Sequence, residues 1–250
     1  MTALAWVHKT YRYDQRVFWR LPQSAFFTVL MPVMMLVIFG ALNGGQLDAL
    51  HTPYKRYLLV GLTVFGVLGA AYGNLAARIT WRRESGIYQR LRTTPVPAWS
   101  LLTAQIGSAI TIVLITVGLM LVISAAFFDI AMPTNWPLFA LVVLLGTACF
   151  ASLGAAMSTF VTSIEAVDPI VWATMLPLTF ISGIFQYIRD GSFLAHLAGL
   201  FPVRPLVLVN IRAFGIHDDG RTAIHLAVVA AWMVAGLIVA IRRFRWAPHR

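Results

Sequence analysis

The sequence predicts an all-α polytopic membrane protein with six transmembrane helices. Six stretches of about twenty or more residues carry no Asp, Glu, Lys or Arg. Hydrophobic residues make up 59% of the chain and charged residues 11%, too few charges to give helices of that length the polar face that water demands. Arginines gather at alternate ends of these stretches. A hydrocarbon core about 30 Å thick is crossed by about 20 residues of helix rising about 1.5 Å each.

Charge sets the orientation. Lys9, Arg12, Arg16 and Arg20 precede the first span, Arg78, Arg82, Arg83, Arg90 and Arg92 fill the connection after the second, and Arg242, Arg243, Arg245 and Arg250 follow the sixth. With both termini and that connection in the cytoplasm, thirteen basic residues lie inside. Six lie outside: Lys55, Arg56, Arg189, Arg204, Arg212 and Arg221. This is the positive-inside bias, and an odd number of spans would put one basic terminus outside. The net charge of +10 therefore reads as membrane orientation, with no nucleic acid as partner. Arginine in place of lysine points to a GC-rich genome and a bacterial inner membrane.

Residues 3–20 read as an interfacial helix. Leu4, Val7, Tyr11 and Phe18 recur at helical spacing, with Lys9, Arg12 and Arg16 on the polar side. Span one covers 21–42 and is kinked at Pro32, and Asn43-Gly44-Gly45 turns the chain outside. Span two, 57–77, contains Gly61, Gly66, Gly69 and Gly73. The pair Gly69 and Gly73 allows close helix approach within the bundle, or dimerisation through that face.

Span three covers 101–128, and span four, 137–160, has a small-residue face. The connection 161–168 holds Glu165 and Asp168 but no basic residue, the weakest point of the charge argument. Asp168 ahead of Pro169 reads as the cap of span five, 169–188, which Pro177 kinks. Residues 189–221 form an outer, partly re-entrant segment, because 193–203 is apolar but too short to span and Pro202 and Pro205 break it. Span six covers 222–241. The spans and their short connections make one membrane domain over 1–250.

Site chemistry is sparse. Cys149 is the single cysteine and reads as a packing residue. His196 and His225 have no carboxylate three or four residues away, so packing is the preferred reading. Ser192 lies four residues before His196 but lacks a nucleophile elbow and an orienting acid, which makes the spacing coincidental. Glu165 and Asp168 have no third ligand, so no metal site is assigned. Trp172, Phe180, Phe185 and Tyr187 recur along span five as a candidate substrate path. The uncharged spans disfavour an ion pathway and favour an amphiphilic cargo such as a drug, antibiotic or lipid-like compound.

The connection after span two reads Arg82-Arg83-Glu84-Ser85-Gly86-Ile87-Tyr88-Gln89-Arg90-Leu91-Arg92-Thr93-Thr94-Pro95-Val96-Pro97. It starts as a continuation of span two, with Ile87 and Leu91 on one face, and Pro95 and Pro97 end it. The pattern resembles the permeases of ABC-2-type transporters, whose basic loop has the form R-E-x-G-x-x-x-x-L-R-x-T-P. Here Arg83, Glu84, Gly86, Leu91, Arg92, Thr94 and Pro95 fit that form. A second resemblance runs through Phe180-Ile181-Ser182-Gly183-Ile184-Phe185 and then Phe201-Pro202 to Leu206. One departure is Gln186-Tyr187, where family members often carry proline.

The resemblance implies that the loop is a coupling helix docking on a separate ATPase subunit, with Glu84 as the foremost contact and Arg83, Arg90 and Arg92 as secondary ones. It also implies two permease subunits, read here as a homodimer, and two ATPase copies that hold the ATP and Mg. This chain has no G-x-x-x-x-G-K-[ST] loop, so no cofactor and no enzymatic activity are assigned to it. The resulting expectation is a permease subunit of an ATP-driven exporter embedded among membrane lipids. A gradient-driven carrier, an intramembrane enzyme and a sensing or structural subunit remain as alternatives.

Overall fold

The computed structural model describes residues 3–42, 45–47, 50–87, 89, 98–188 and 191–243. Among these described residues, six helices are long and apolar enough to cross a membrane. An amphipathic helix α1 (Ala3–Arg20) leads into α2 (Pro22–Leu42). The remaining spans are α3 (Tyr54–Glu84), α4 (Ala98–Phe128), α5 (Trp136–Ser158), α6 (Ile164–Ile181) and α9 (Thr222–Arg243). Between α6 and α9 lie the short helices α7 (Phe193–Gly199) and α8 (Val203–Ala213). A two-residue ladder, β1 (Gln46–Leu47) with β2 (Thr52–Pro53), closes the turn after α2.

The glycine-rich α3 is the central post. In α3, 83% of the most apolar stretch is buried, against 22% in α6 and 17% in α9. Small residues make that centrality possible. A Cβ on Gly61 would run into the backbone of Ile184, and one on Gly154 of α5 would meet the Tyr72 carbonyl. Gly73 faces Val171 of α6 and Gly69 faces Met175, so the small residues let α6 lie close to α3.

Two spans carry a wide π turn. In α2 it covers Phe26–Leu30, with the Met31 N–H reaching back five residues to the Phe26 carbonyl. Proline has no N–H to give, so a wider turn just before Pro32 absorbs the expected kink. In α3 the wide turn covers Gly69–Gly73, with the Asn74 N–H on the Gly69 carbonyl.

Three sequence expectations are corrected here. Span five begins at Ile164, not Pro169, and its cap is Ser163, whose hydroxyl accepts from the Ala166 N–H; Asp168 lies inside the helix. That helix also ends at Ile181, because Gly183 takes a left-handed φ of 80°. Pro205 does not bend the re-entrant segment. It is the third residue of α8, where its missing N–H would have no helical acceptor. The bend between α7 and α8, 95°, falls at residues 200–202.

The basic ends of the spans lie together. Arg83 at the end of α3 donates to carbonyls at the end of α5, and Arg243 at the end of α9 sits over the Phe160 ring. The turn after α5 thus has Arg83 on the Val161 carbonyl and Arg243 over Phe160, while Glu165 and Asp168 belong to α6 itself.

Candidate functional site

At the basic end, the last turns of α3 are held from two sides. Asp14 of α1, fully buried, is salt-bridged to Arg82, whose guanidinium also lies 5.9 Å from the Tyr13 ring centroid. Beside this pair the Ser108 hydroxyl of α4 accepts from Arg78 at 3.1 Å and from Gln15 of α1 at 3.2 Å. Tyr11 shares a hydrogen bond of 2.9 Å with Thr111. The buried face of α1 therefore runs through Tyr11, Asp14, Gln15 and Phe18 onto α4, and Leu4 is left exposed.

Arg83 points the other way. Its guanidinium donates to Ser158 O at 2.7 Å and Val161 O at 2.5 Å, satisfying the last carbonyl of α5 and one in the turn that follows. Its Nε donates to Glu84 Oε1 at 2.9 Å. The helix stops there. The Ser85 N–H bonds the Trp81 carbonyl, the Gly86 N–H bonds Arg83, and Gly86 adopts a φ of 70°. The segment starts as a continuation of span two, as expected, and that continuity ends at Glu84. Arg83 is buried structure and not a surface contact, while Ser85 is exposed at the tip. Leu91, Arg92 and Pro95, with Arg90, lie outside the described residues.

Between α2, α3 and α6 lies a cavity of about 580 Å³, lined by both π turns. Gln23, Ser24, Thr28, Asn74 and Asp168 line it among apolar residues that include Phe65, and the Asn74 amide donates to the Thr28 hydroxyl at 2.6 Å. Trp172 also lines it. Of the other path aromatics, Phe185 packs on Phe65, Phe39 and Phe180 at centroid distances of 6.1, 6.4 and 5.6 Å. Tyr187 meets Tyr57 edge-on at 6.4 Å, and the Tyr57 hydroxyl donates to the Gly183 carbonyl. Phe65 therefore links the Trp172 cavity to the Phe185 cluster, but the four aromatics do not converge on one point.

The histidines resolve differently. His196 Nδ1 lies 2.9 Å from the Ser192 carbonyl, and the Ser192 hydroxyl caps α7 by accepting from the Ala195 N–H. The pair is therefore a helix cap and not a nucleophile with its base. His225 has an acid that helical spacing missed: its Nε2 lies 2.6 Å from Asp219 Oδ2. Partial burial pushes the Asp219 carboxyl up. The His225 hydrogen bond, the Arg221 N–H and the imidazolium charge outweigh that and hold it below its ordinary value.

The chain matches the family model described as ABC-2 type transporter over residues 10–207. It is 23% identical over 158 residues to the inner membrane transport permease YadH of Escherichia coli, covering 63% of this chain and 61% of that one. YvfS of Bacillus subtilis, at 27% over 51% of this chain and 52% of its own, and ycf38 of Porphyra purpurea, at 30% over 58% and 52%, also carry transport-permease names. The chain thus spans about three fifths or less of the length of these relatives. With the family model matched over most of its length, this six-span chain belongs to the ABC-2 type transporter family.

Proposed function

We propose that this chain is the membrane-spanning permease subunit of an ATP-binding-cassette exporter in a bacterial inner membrane. It works as a homodimer energised by two copies of a separate ATPase, which hold the ATP and Mg. The observation that carries the reading is the end of α3, tied to α1 by Arg82 and to α5 by Arg83, with the Ser85–Gly86 turn projecting beyond it. A partner pressing on that turn would move three helices together. Glu84, already paired with Arg83, serves as a partly exposed docking carboxylate, and Arg83 serves by positioning it. Leu91, Arg92 and Pro95 extend the docking segment.

The cargo is hydrophobic or amphiphilic. The cavity beside Trp172 supports this, since it pairs apolar walls with a few hydroxyl and amide groups. Phe27 and Trp172 at the cavity, with Leu176 and Phe180 further along α6, are exposed, a surface that a second copy would cover. Phe180, Phe185 and Tyr187 continue the path toward the outer end.

Affinity purification of the tagged chain from its host in mild detergent tests this. A co-purifying subunit with a phosphate-binding loop is expected, and Ser85→Arg or Glu84→Arg should release it. The chain recovered alone, in every mild detergent tried, would instead favour a carrier or a structural subunit.

A further inference from the structure

A second cavity, about 330 Å³, opens beside the first, across Met175, among α3, α5, α6, α9 and the α7–α8 bend. Its walls are almost wholly apolar. The two hydroxyls that reach it, Tyr72 and Thr174, bond one another at 2.7 Å, and the Trp232 indole donates to the Leu200 carbonyl at 2.7 Å while stacking on Phe201. No lining side chain is charged. From Trp232 the cavity follows α9 toward its basic end: Trp232, Gly236, Val239 and Arg243 recur at three and four residues and share one face. Phe160 also lines the cavity, and Arg243 lies over its ring at 5.0 Å. An apolar slot inside the bilayer thus ends beneath an exposed arginine, with exposed Arg242 adjacent.

We propose that this slot binds one anionic phospholipid, with an acyl chain among Trp232, Val239 and Met157 and the phosphate at Arg243 and Arg242. Charge complementarity selects the occupant. An arginine at the edge of the hydrocarbon stays near the headgroups, where anionic lipid phosphate is its abundant counterion. The tail meets a wall with no polar group left to satisfy. The site requires the chain to be in a bilayer but does not depend on transport, and it is read with no ATPase present.

The test is native mass spectrometry of the purified chain in detergent, with palmitoyl-oleoyl phosphatidylglycerol or phosphatidylcholine added. One phosphatidylglycerol should be retained per chain, about fivefold or more above phosphatidylcholine. The double variant Arg242→Gln/Arg243→Gln should abolish that preference. Ala235→Phe, at an exposed lining position, should remove retention of both lipids. Phosphatidylglycerol carrying a diazirine at its tail end should label peptides containing Trp232, Phe201 or Leu178 in the unsubstituted protein, a readout that needs no variant to fold. Equal retention of the two lipids, or labelling spread evenly over the apolar surface, would overturn the proposal. So would an Ala235→Phe protein that keeps its lipid but loses its oligomeric state, which would make a second copy the occupant.

Discussion

The guanidinium of Arg83 closes the end of a helix to which it does not belong, donating to Ser158 and Val161 at the finish of α5. A charged hydrogen bond to a buried carbonyl contributes about 1.5–3 kcal/mol. Arg83→Ala should therefore destabilise the chain by on the order of 3 kcal/mol. Arg83→Lys should recover at most half of that loss, because an ammonium lacks the planar fork that reaches both carbonyls. Unfolding in mixed micelles with increasing SDS checks both values.

Asp14 and Arg82 form a buried ion pair 68 residues apart. Removing one partner of such a pair costs about 3–5 kcal/mol, because the other charge is left buried. Asp14→Ala and Arg82→Ala should each do so. Asp14→Ala/Arg82→Ala should cost clearly less than the two combined, and a double-mutant cycle on melting temperature measures the coupling.

The Asp219–His225 contact predicts acid sensitivity of one sign. The Asp219 carboxyl is held below its ordinary value of 3.8, so its stabilising contribution is present above that pH. It is lost as pH falls through the lower folded value. Melting temperature followed from pH 6 to pH 2.5 should decline less steeply in His225→Gln than in the unsubstituted chain.

Gly61 admits the backbone of Ile184 directly against α3. Gly61→Ala should force the Ser182–Phe185 turn outward, break the Tyr57 hydrogen bond to Gly183 and lower the monodisperse yield severalfold. Gly45, with nothing near its added Cβ, is the control: Gly45→Ala should leave the yield unchanged. Size-exclusion profiles of the two variants decide the matter.

Much of the fold was legible because hydrophobic length is a local property. Each span announced itself within about twenty residues, and the arginines marked the ends. What escaped was relational. Asp14 sits in a basic helix and gives no local sign that it will be buried against Arg82. His225 has no acid at helical spacing, but Asp219 reaches it across the turn before α9, six residues back. Pro32 signalled a disturbance in α2, yet whether a helix answers proline with a kink or a π turn depends on neighbouring packing. At the site, the family pattern names Gly86 but gives no sign of its left-handed φ of 70°. Arg83 looked like a surface charge because nothing in its own segment reveals the open carbonyls of α5.

Arg82 and Arg83 are consecutive, and consecutive residues of an α-helix point about 100° apart. The two anchors of α3 therefore lie off its axis in different directions, Arg82 on α1 and Arg83 on α5. Under the proposed docking, a push along that axis at the Ser85–Gly86 turn would be resisted unequally around the circumference and converted partly into rotation. The end of α3 would then act as a crank with two arms, in which a short stroke at the tip becomes a twist carried by the most enclosed helix of the bundle.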